Sequence, residues 1–304
     1  MTGLVQNAID AIALGSLVAL VALGIGLIFG IMRLINFAHG DFIMLGAYAL
    51  IVPSSAVTAS LLIGAWPTPF LIGGICLFVV LVALASERLA FRPVRTAAPS
   101  VLLITSFALS FFFEHLVIMI YGGRPKAVNL WAGLAEPILV AGIRIPKLQL
   151  ITIAVTILLL LLLVLFLKRT PMGVAMRAAS EDFRMARLLG VRANRVIAAA
   201  FAISGFLAAV VSLLLVAQTG VLSYHMGIPL VLFAFVATVV GGMGSLAGAV
   251  LGGFIVGTAS VFFQVVLPID WRPNRDVWVY GMILLILLLR PSGLVKVRSV
   301  AERV

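Results

Sequence analysis

The chain has 304 residues, of which 63% are hydrophobic and 10% are charged. Soluble domains average roughly 45–50% apolar and about 25% charged residues, so a water-soluble globular domain is excluded. The net charge of +11 would raise the question of nucleic acid in a soluble protein, whereas in a membrane protein it marks cytoplasmic loops. The composition predicts one all-α, polytopic membrane domain over residues 1–304.

Nine apolar segments follow one another along the chain. Six of them have the length of a spanning helix: 9–31, 68–85, 101–121, 149–167, 196–217 and 245–266. Three others are short or interrupted by polar residues, and each is a short span, a broken helix or a re-entrant segment: 34–52, 228–240 and 277–289. We therefore expect a bundle of about eight transmembrane helices, with a range of seven to nine.

The basic residues predict the orientation of the bundle. Segments 86–99, 168–195 and 290–304 carry net charges of +2, +5 and +3, together +10 of the +11. The positive-inside rule places all three, including the C-terminus, in the cytoplasm. Loop 122–148 also carries a net charge of +3, which disagrees with this rule if the loop lies outside the cytoplasm. We still place it outside, because the opposite orientation would place the more basic loop 168–195 outside. The N-terminus is outside if 34–52 spans and inside if it is re-entrant.

Loop 168–195 contains a predicted short helix at 181–189. Ser180 is the expected N-cap, and Gly190 follows the last turn at the C′ position. Its first turn contains the acidic residues Glu181 and Asp182, which suit the positive end of the helix dipole. Its apolar face consists of Phe183, Ala186 and Leu189. Such a helix either inserts into a groove on a soluble partner or is a solvated connector between spans.

Polar residues interrupt two of the apolar segments. Segment 35–48 places the polar residues Asn36, His39 and Asp41 in or beside an apolar run, where ionisable groups are costly. Phe37 and Gly40 lie between them, and all five are candidate residues of a substrate path. The segment is either a gate lining a substrate path or a turn whose His39 and Asp41 cap helix ends. Glu114 lies near the outer end of its span. It is either a functional carboxylate within the membrane or a structural residue of the outer rim.

Glycines in segment 241–257 follow helical rows of small residues. Gly248 and Gly252 lie in one row, and Gly253 and Gly257 lie in the next. Rows of this kind let helices approach closely, so we expect packing, with a flexible entrance at Gly241, Gly242 and Gly244. The sequence contains no phosphate-binding loop, metal-ligand motif or catalytic constellation. Neither a cofactor nor a metal is expected on this chain, and any ATPase must be a separate subunit.

Several motifs, in the order in which they follow one another along the chain, resemble those of the permease subunits of bacterial ABC importers for branched-chain amino acids. The H-type subunit is the most similar. The motifs are distributed over nearly the whole chain: Ile35-Asn-Phe-Ala-His-Gly-Asp-Phe42, Met44-Leu-Gly-Ala-Tyr48, Glu87-Arg-Leu-Ala-Phe-Arg-Pro-Val-Arg95, Met172-Gly-Val-Ala-Met-Arg-Ala178, Leu188-Leu-Gly190, Gly241-Gly-Met-Gly-Ser-Leu-Ala-Gly248 and Arg290-Pro-Ser-Gly-Leu294.

The resemblance implies a non-enzymatic permease in the bacterial inner membrane. It implies four kinds of partner or ligand: an M-type permease, two cytoplasmic ATPase subunits, ATP-Mg bound on those ATPases, and a periplasmic or lipid-anchored binding protein. Loop 168–195 would contact the ATPase through eight residues: Arg177, Ser180, Glu181, Asp182, Phe183, Ala186, Leu189 and Gly190. The substrate path would lie where two permease subunits meet, and residues 34–48 and 241–257 would line it. Alternatives are a urea or short-amide importer permease and an ion-coupled secondary transporter using Asp41 or Glu114.

Overall fold

The computed structural model describes residues 2–54, 56–134, 136–140, 143–291 and 293–295. Six of the described helices are long and apolar enough to cross a membrane. They are α1 (Thr2–Met32), α3 (Thr68–Ser86), α5 (Pro99–Tyr121), α6 (Lys147–Arg169), α9 (Ala193–Thr219) and α11 (Leu246–Val266). Each one coincides with a predicted spanning segment, so the predicted polytopic all-α bundle is confirmed.

The other helices are shorter. They are α2 (His39–Tyr48), α4 (Arg92–Val94), α7 (Pro171–Glu181), α8 (Phe183–Leu188), α10 (Gly227–Gly241) and α12 (Arg275–Leu289). A π-helical turn over Glu87–Phe91 joins α3 to α4. Four short strands form two antiparallel pairs, β1 (Lys126–Ala127) with β4 (Val221–Leu222) and β2 (Pro137–Val140) with β3 (Ile143–Pro146).

The two ends of the bundle differ in their residues. At one end, here called the basic end, Arg95 donates a hydrogen bond to the Asn194 side chain, which joins segments 86–99 and 168–195. The main chain of Val295 reaches the same end, where its amide donates to the Gly241 carbonyl. Residues 296–304 of the third basic segment lie outside the described residues. The tryptophans lie in loops and helix starts at the opposite end: Trp66, Trp131, Trp271 and Trp278.

Residues 33–52 run from the basic end to the opposite end beside α5. Successive contacts advance along both segments: Ile35 with Ser106, Phe37 with Phe107, Asp41 with Ser110, and Tyr48 with Tyr121. The ten residues of α2 extend about 15 Å, and the contacts from Ser106 to Tyr121 follow about 22 Å of α5. This covers most of the roughly 30 Å hydrocarbon core of a bilayer. The sequence predicts that segment 34–52 is a short span, a broken helix or a re-entrant segment, and in the structure it is a broken helix.

Close backbone contact holds the central helices together. On α11, Gly248 and Gly252 face α10, and Gly253 and Gly257 face α1. A Cβ at Gly253 would lie 2.5 Å from the Ala19 Cα, and a Cβ at Gly241 would lie 1.9 Å from the Gly248 carbonyl oxygen. Neither position has space for a side chain. The glycine rows therefore determine how near α11 comes to both of its neighbours.

The helix predicted at 181–189 is different in three respects. Asp182, not Ser180, is the N-cap, because its carboxylate accepts from the amides of Arg184 and Met185 at 2.8 and 3.0 Å. The helix ends at Leu188, and the whole of α7 precedes it. Ser180 instead lies in the last turn of α7, where its hydroxyl donates to the Arg177 carbonyl. Both amides donate to the same oxygen, Asp182 Oδ1. An N-cap residue needs a non-helical backbone, which Asp182 has, with φ −143° and ψ 103°, whereas Ser180 is still helical; this decides where α8 begins.

Candidate functional site

The polar residues of segment 35–48 lie inside the protein. Asn36 and His39 are fully buried, and Asp41 is nearly so. His39 Nδ1 lies 3.0 Å from the Ser204 hydroxyl of α9, and its ring fills the space beside Gly24 of α1. Because His39 touches two long helices at once, it fixes the start of α2 between them. A turn at the surface with capping side chains is therefore wrong for this segment.

Asp41 is the first of a series of polar groups that reaches the surface. Its carboxylate lies near Ser110 of α5, and Glu114 lies one turn further along the same helix. Glu114 Oε1 is 3.3 Å from His225 Nδ1 in the loop before α10. The Glu114 side chain is 7% exposed and that of His225 is 54% exposed. This arrangement connects the interior at α2 with the surface at the opposite end of the bundle.

An aromatic cluster lies on the basic-end side of these polar groups. Phe37 stacks on Phe107 of α5, with ring centroids 4.3 Å apart and planes inclined by 17°. Phe235 of α10 lies 5.9 Å from the same Phe37 ring. Phe107 is exposed on the outer face of α5. The cluster thus joins the interior at α2 to an apolar surface that another subunit or lipid must cover.

Segment 241–244 lies far from α2, although both contact α10. Gly40 touches the backbone of Gly227 at the start of α10, whereas Gly241 is its last residue. The two ends of that helix are about 21 Å apart. Gly242 and Gly244 have φ values of 109° and 94°, which favour glycine in the turn to α11. Gly40 and Gly241 therefore lie near opposite ends of α10, whereas the Arg33 side chain at the start of the broken pass lies beside Gly244.

The predicted apolar face of the 181–189 helix is divided between the interior and the surface. Phe183 is half-buried and Ala186 is buried, so these two pack inward. The exposed apolar side chains are Met185, Leu188 and Leu189, at 55, 76 and 81%. A single face of Phe183, Ala186 and Leu189 is therefore wrong. Arg177 stays within the loop, where its Nε donates to the Leu167 carbonyl at 3.0 Å.

Lys126 is a residue that the sequence does not single out. It is almost fully buried, and its ammonium donates to the carbonyls of Ser54 and Ala56 at 2.6 and 2.7 Å. It therefore ties the loop after α2 to strand β1 at the opposite end. A lysine in a polar loop gives no sequence signal for this, because its partners are main-chain atoms about 70 residues away along the chain.

A bundle of apolar helices with a broken pass and buried ionisable residues is the architecture of a multi-pass membrane transport protein. Residues 7–289 match the protein family described as "Branched-chain amino acid transport system / permease component". The chain belongs to this family, as its sequence motifs predict. The family is one component of a transport system, which implies partner subunits.

Several curated relatives are similar over nearly the full chain. The high-affinity branched-chain amino acid transport system permease proteins BraD of Pseudomonas aeruginosa and LivH of Escherichia coli are 33% and 34% identical. Each alignment covers 95% of this chain and 94% of the relative. The probable branched-chain amino acid transport permease protein LivH of Methanocaldococcus jannaschii is 26% identical over 93% of this chain and 90% of its own.

Proposed function

We propose that the chain is a permease subunit of an ATP-driven ABC importer for branched-chain or other hydrophobic amino acids. The observation that carries the proposal is the similarity to BraD and LivH over 95% of the chain. Since relatives of this kind are transport permeases, the chain itself moves a solute and does not convert it chemically. ATP and Mg²⁺ would be bound by separate ATPase subunits.

The proposed assembly contains this chain, an M-type permease, two cytoplasmic ATPase subunits and a periplasmic or lipid-anchored binding protein. We place the basic end in the cytoplasm of a bacterial inner-membrane protein, following the positive-inside rule. The tryptophans then lie at the outer interface, where aromatic residues concentrate. The N-terminus is outside in this orientation, because the broken pass of residues 33–52 adds a crossing.

The exposed apolar side chains of α8 and its end support ATPase docking at the basic end. Met185, Leu188 and Leu189 form an apolar patch on a loop otherwise rich in arginine. Patches of this kind mark contacts with other proteins. Behind the patch, α7 contacts α1, α6 and α9. A displacement of α7 and α8 would therefore reach both helices that contact His39, and rigid-body switching of these helices would open the path alternately to each side.

Leu189→Asp tests the docking surface directly. Leu189 is 81% exposed, so the substitution leaves the fold intact and places a charge in the proposed interface. We expect the variant to insert normally but to lose co-purification with the ATPase subunits, whereas the matched Leu189→Met variant keeps it. Unchanged co-purification of Leu189→Asp would refute docking through this patch.

Uptake measurements test the substrate and the energy source. Vesicles that contain the complete transporter and its binding protein should accumulate leucine only when ATP is present. Accumulation of urea instead of leucine would identify an amide importer. Uptake driven by a proton gradient without any ATPase would identify a secondary transporter that uses Asp41 or Glu114.

A further inference from the structure

A cavity of about 720 Å³ opens at the basic end, between the end of α1, the turn before α5, helix α8 and the start of α9. We call it the basic cavity because arginines from all four elements line it: Arg33, Arg95, Arg187, Arg192 and Arg195. Apolar side chains also line it: Ile31, Met32, Phe183, Ala193 and Ile197.

The five arginines of the basic cavity outnumber the acids near them. The ion pairs among the described residues are Lys147–Glu136, His225–Glu114 and Arg275–Asp276, so none includes an arginine of this cavity. The buried Glu87 carboxylate is near enough to Arg95 to attract it electrostatically, but one carboxylate does not balance five guanidinium groups. Arg95 has a neutral partner, the Asn194 side chain. Like charges gathered around one space repel one another. An anion inside the cavity would remove this repulsion and satisfy several guanidinium donors at once.

The chemistry of the lining favours a phosphate-bearing anion. Guanidinium groups bind phosphate through paired hydrogen bonds, and a multiply charged group matches several arginines better than one carboxylate does. Ala193 and Asn194 of the first turn of α9 also line the cavity, and the helix dipole favours an anion at this end of α9. The apolar residues beside the arginines suit a phosphate attached to a larger, partly apolar molecule. Basic pockets at the cytoplasmic ends of membrane helices bind phospholipid head groups in this way.

We propose that the basic cavity binds a phosphate group, carried by an anionic lipid or by a free phosphate compound, and thereby holds α8 against the bundle. Phe183 and Arg187 of α8 line the cavity together with Arg192 and Arg195 at the start of α9. A ligand that contacts both groups links the segment that carries the exposed apolar patch to a central helix. This inference does not depend on which solute the permease carries.

Binding is measured on the purified full-length permease in phosphatidylcholine nanodiscs. One arm titrates pyrophosphate as the free anion, and the other compares nanodiscs with and without phosphatidylglycerol. Hydrogen exchange of the amides of 183–189 reports on α8. We expect added anion to slow exchange in α8 several-fold, and salt to weaken this effect. The arm that produces the effect identifies the source of the phosphate.

Variants separate a specific site from general charge attraction. Arg187→Gln with Arg192→Gln should weaken pyrophosphate binding, or the phosphatidylglycerol effect, by at least about tenfold, because charge-assisted hydrogen bonds are lost. The matched control is Arg184→Gln, an exposed arginine of α8 that does not line the cavity, and it should bind like the unaltered protein. Lysine at positions 187 and 192 should restore part of the affinity.

Three results would overturn the proposal. The first is the absence of any anion effect on α8 exchange in both arms. The second is an equal loss of binding in the double variant and in Arg184→Gln. If the double variant changed only ATPase association, with no phosphate bound by the permease alone, the arginines would serve acidic residues of the ATPase and the proposal would again be wrong.

Discussion

Helix α1 and helices α3, α5 and α6 are all apolar enough to span a membrane, yet they occupy opposite kinds of environment. In the most apolar stretch of α1, 83% of the residues are buried, whereas the share is 28% in each of the other three. Helix α1 packs against α9, α10 and α11. The peripheral helices instead expose large side chains such as Phe111 and Leu161. Hydrophobicity alone does not distinguish a central helix from a peripheral one, because lipid and protein interior are equally apolar.

The difference lies in small and polar residues. The central helices contact one another through Gly15, Ala19, Gly253 and Gly257, where backbones touch. The fully buried Ser204 belongs to central α9, where its hydroxyl meets His39. Central helices thus combine close backbone contact with specific polar pairs, and peripheral helices contribute an apolar surface. Substitutions at matched positions should therefore have very different effects in the two regions.

The largest effect is expected for leucine in place of a central glycine. In Gly253→Leu the new side chain would overlap the Ala19 backbone, 2.5 Å from the added Cβ, and should cost about 3 kcal/mol of stability. Gly73→Leu on α3 is the control, since a Cβ there meets nothing within 4 Å, and it should stay within about 0.5 kcal/mol. Thermal unfolding in detergent measures both. Equal loss in the two variants would show that the central contact is not special.

A smaller effect is expected from the buried polar pair. Ser204→Ala removes the hydroxyl that meets His39 Nδ1 at 3.0 Å and leaves a buried ring nitrogen without that partner, at a cost of about 1–3 kcal/mol. Thr105→Ala is the peripheral counterpart, because its exposed hydroxyl bonds only to the Val101 carbonyl of its own helix. We expect little change there. The comparison fails if chemical denaturation finds Ser204→Ala as stable as Thr105→Ala.

Glu114→Gln tests the boundary between the two regions. Since His225 is more than half exposed, loss of the carboxylate should lower stability by only about 0.5–1 kcal/mol. Transport should decrease more strongly if the polar series from Asp41 to His225 belongs to the path. Measured transport and melting temperature of the variant decide this. Full transport activity with an unchanged melting temperature would remove Glu114 from the candidate path residues.

The smallest effect is expected at the surface of the opposite end. Glu136 and Lys147 are 3.8 Å apart, with side-chain exposures of 77 and 37%, so water screens their attraction. Glu136→Gln should change stability by less than about 0.5 kcal/mol. Its melting curve should overlay that of the unaltered protein at high and low salt. A clear shift that disappears in salt would show that this surface pair contributes more than its exposure indicates.

The extent of the spanning helices could be predicted because it depends on local composition. The run 151–167 is almost entirely Leu, Ile and Val, and it lies within α6. The bounds of α8 were less accessible, because Ser180 and Asp182 both suit an N-cap. Only the geometry of the main chain after α7 selects Asp182. The glycine rows could be found from their spacing, but the helices that each row faces could not.

The sequence by itself determined the membrane class, the six long helices, the family and the basic segments, because each depends on residues close together along the chain. Tertiary structure alone decided that residues 33–52 form a broken pass beside α5 and that His39 meets Ser204, 165 residues away. It also brought five arginines from four elements around one cavity. These features arise between distant segments whose relative positions depend on packing, and a pattern within one segment does not contain that information.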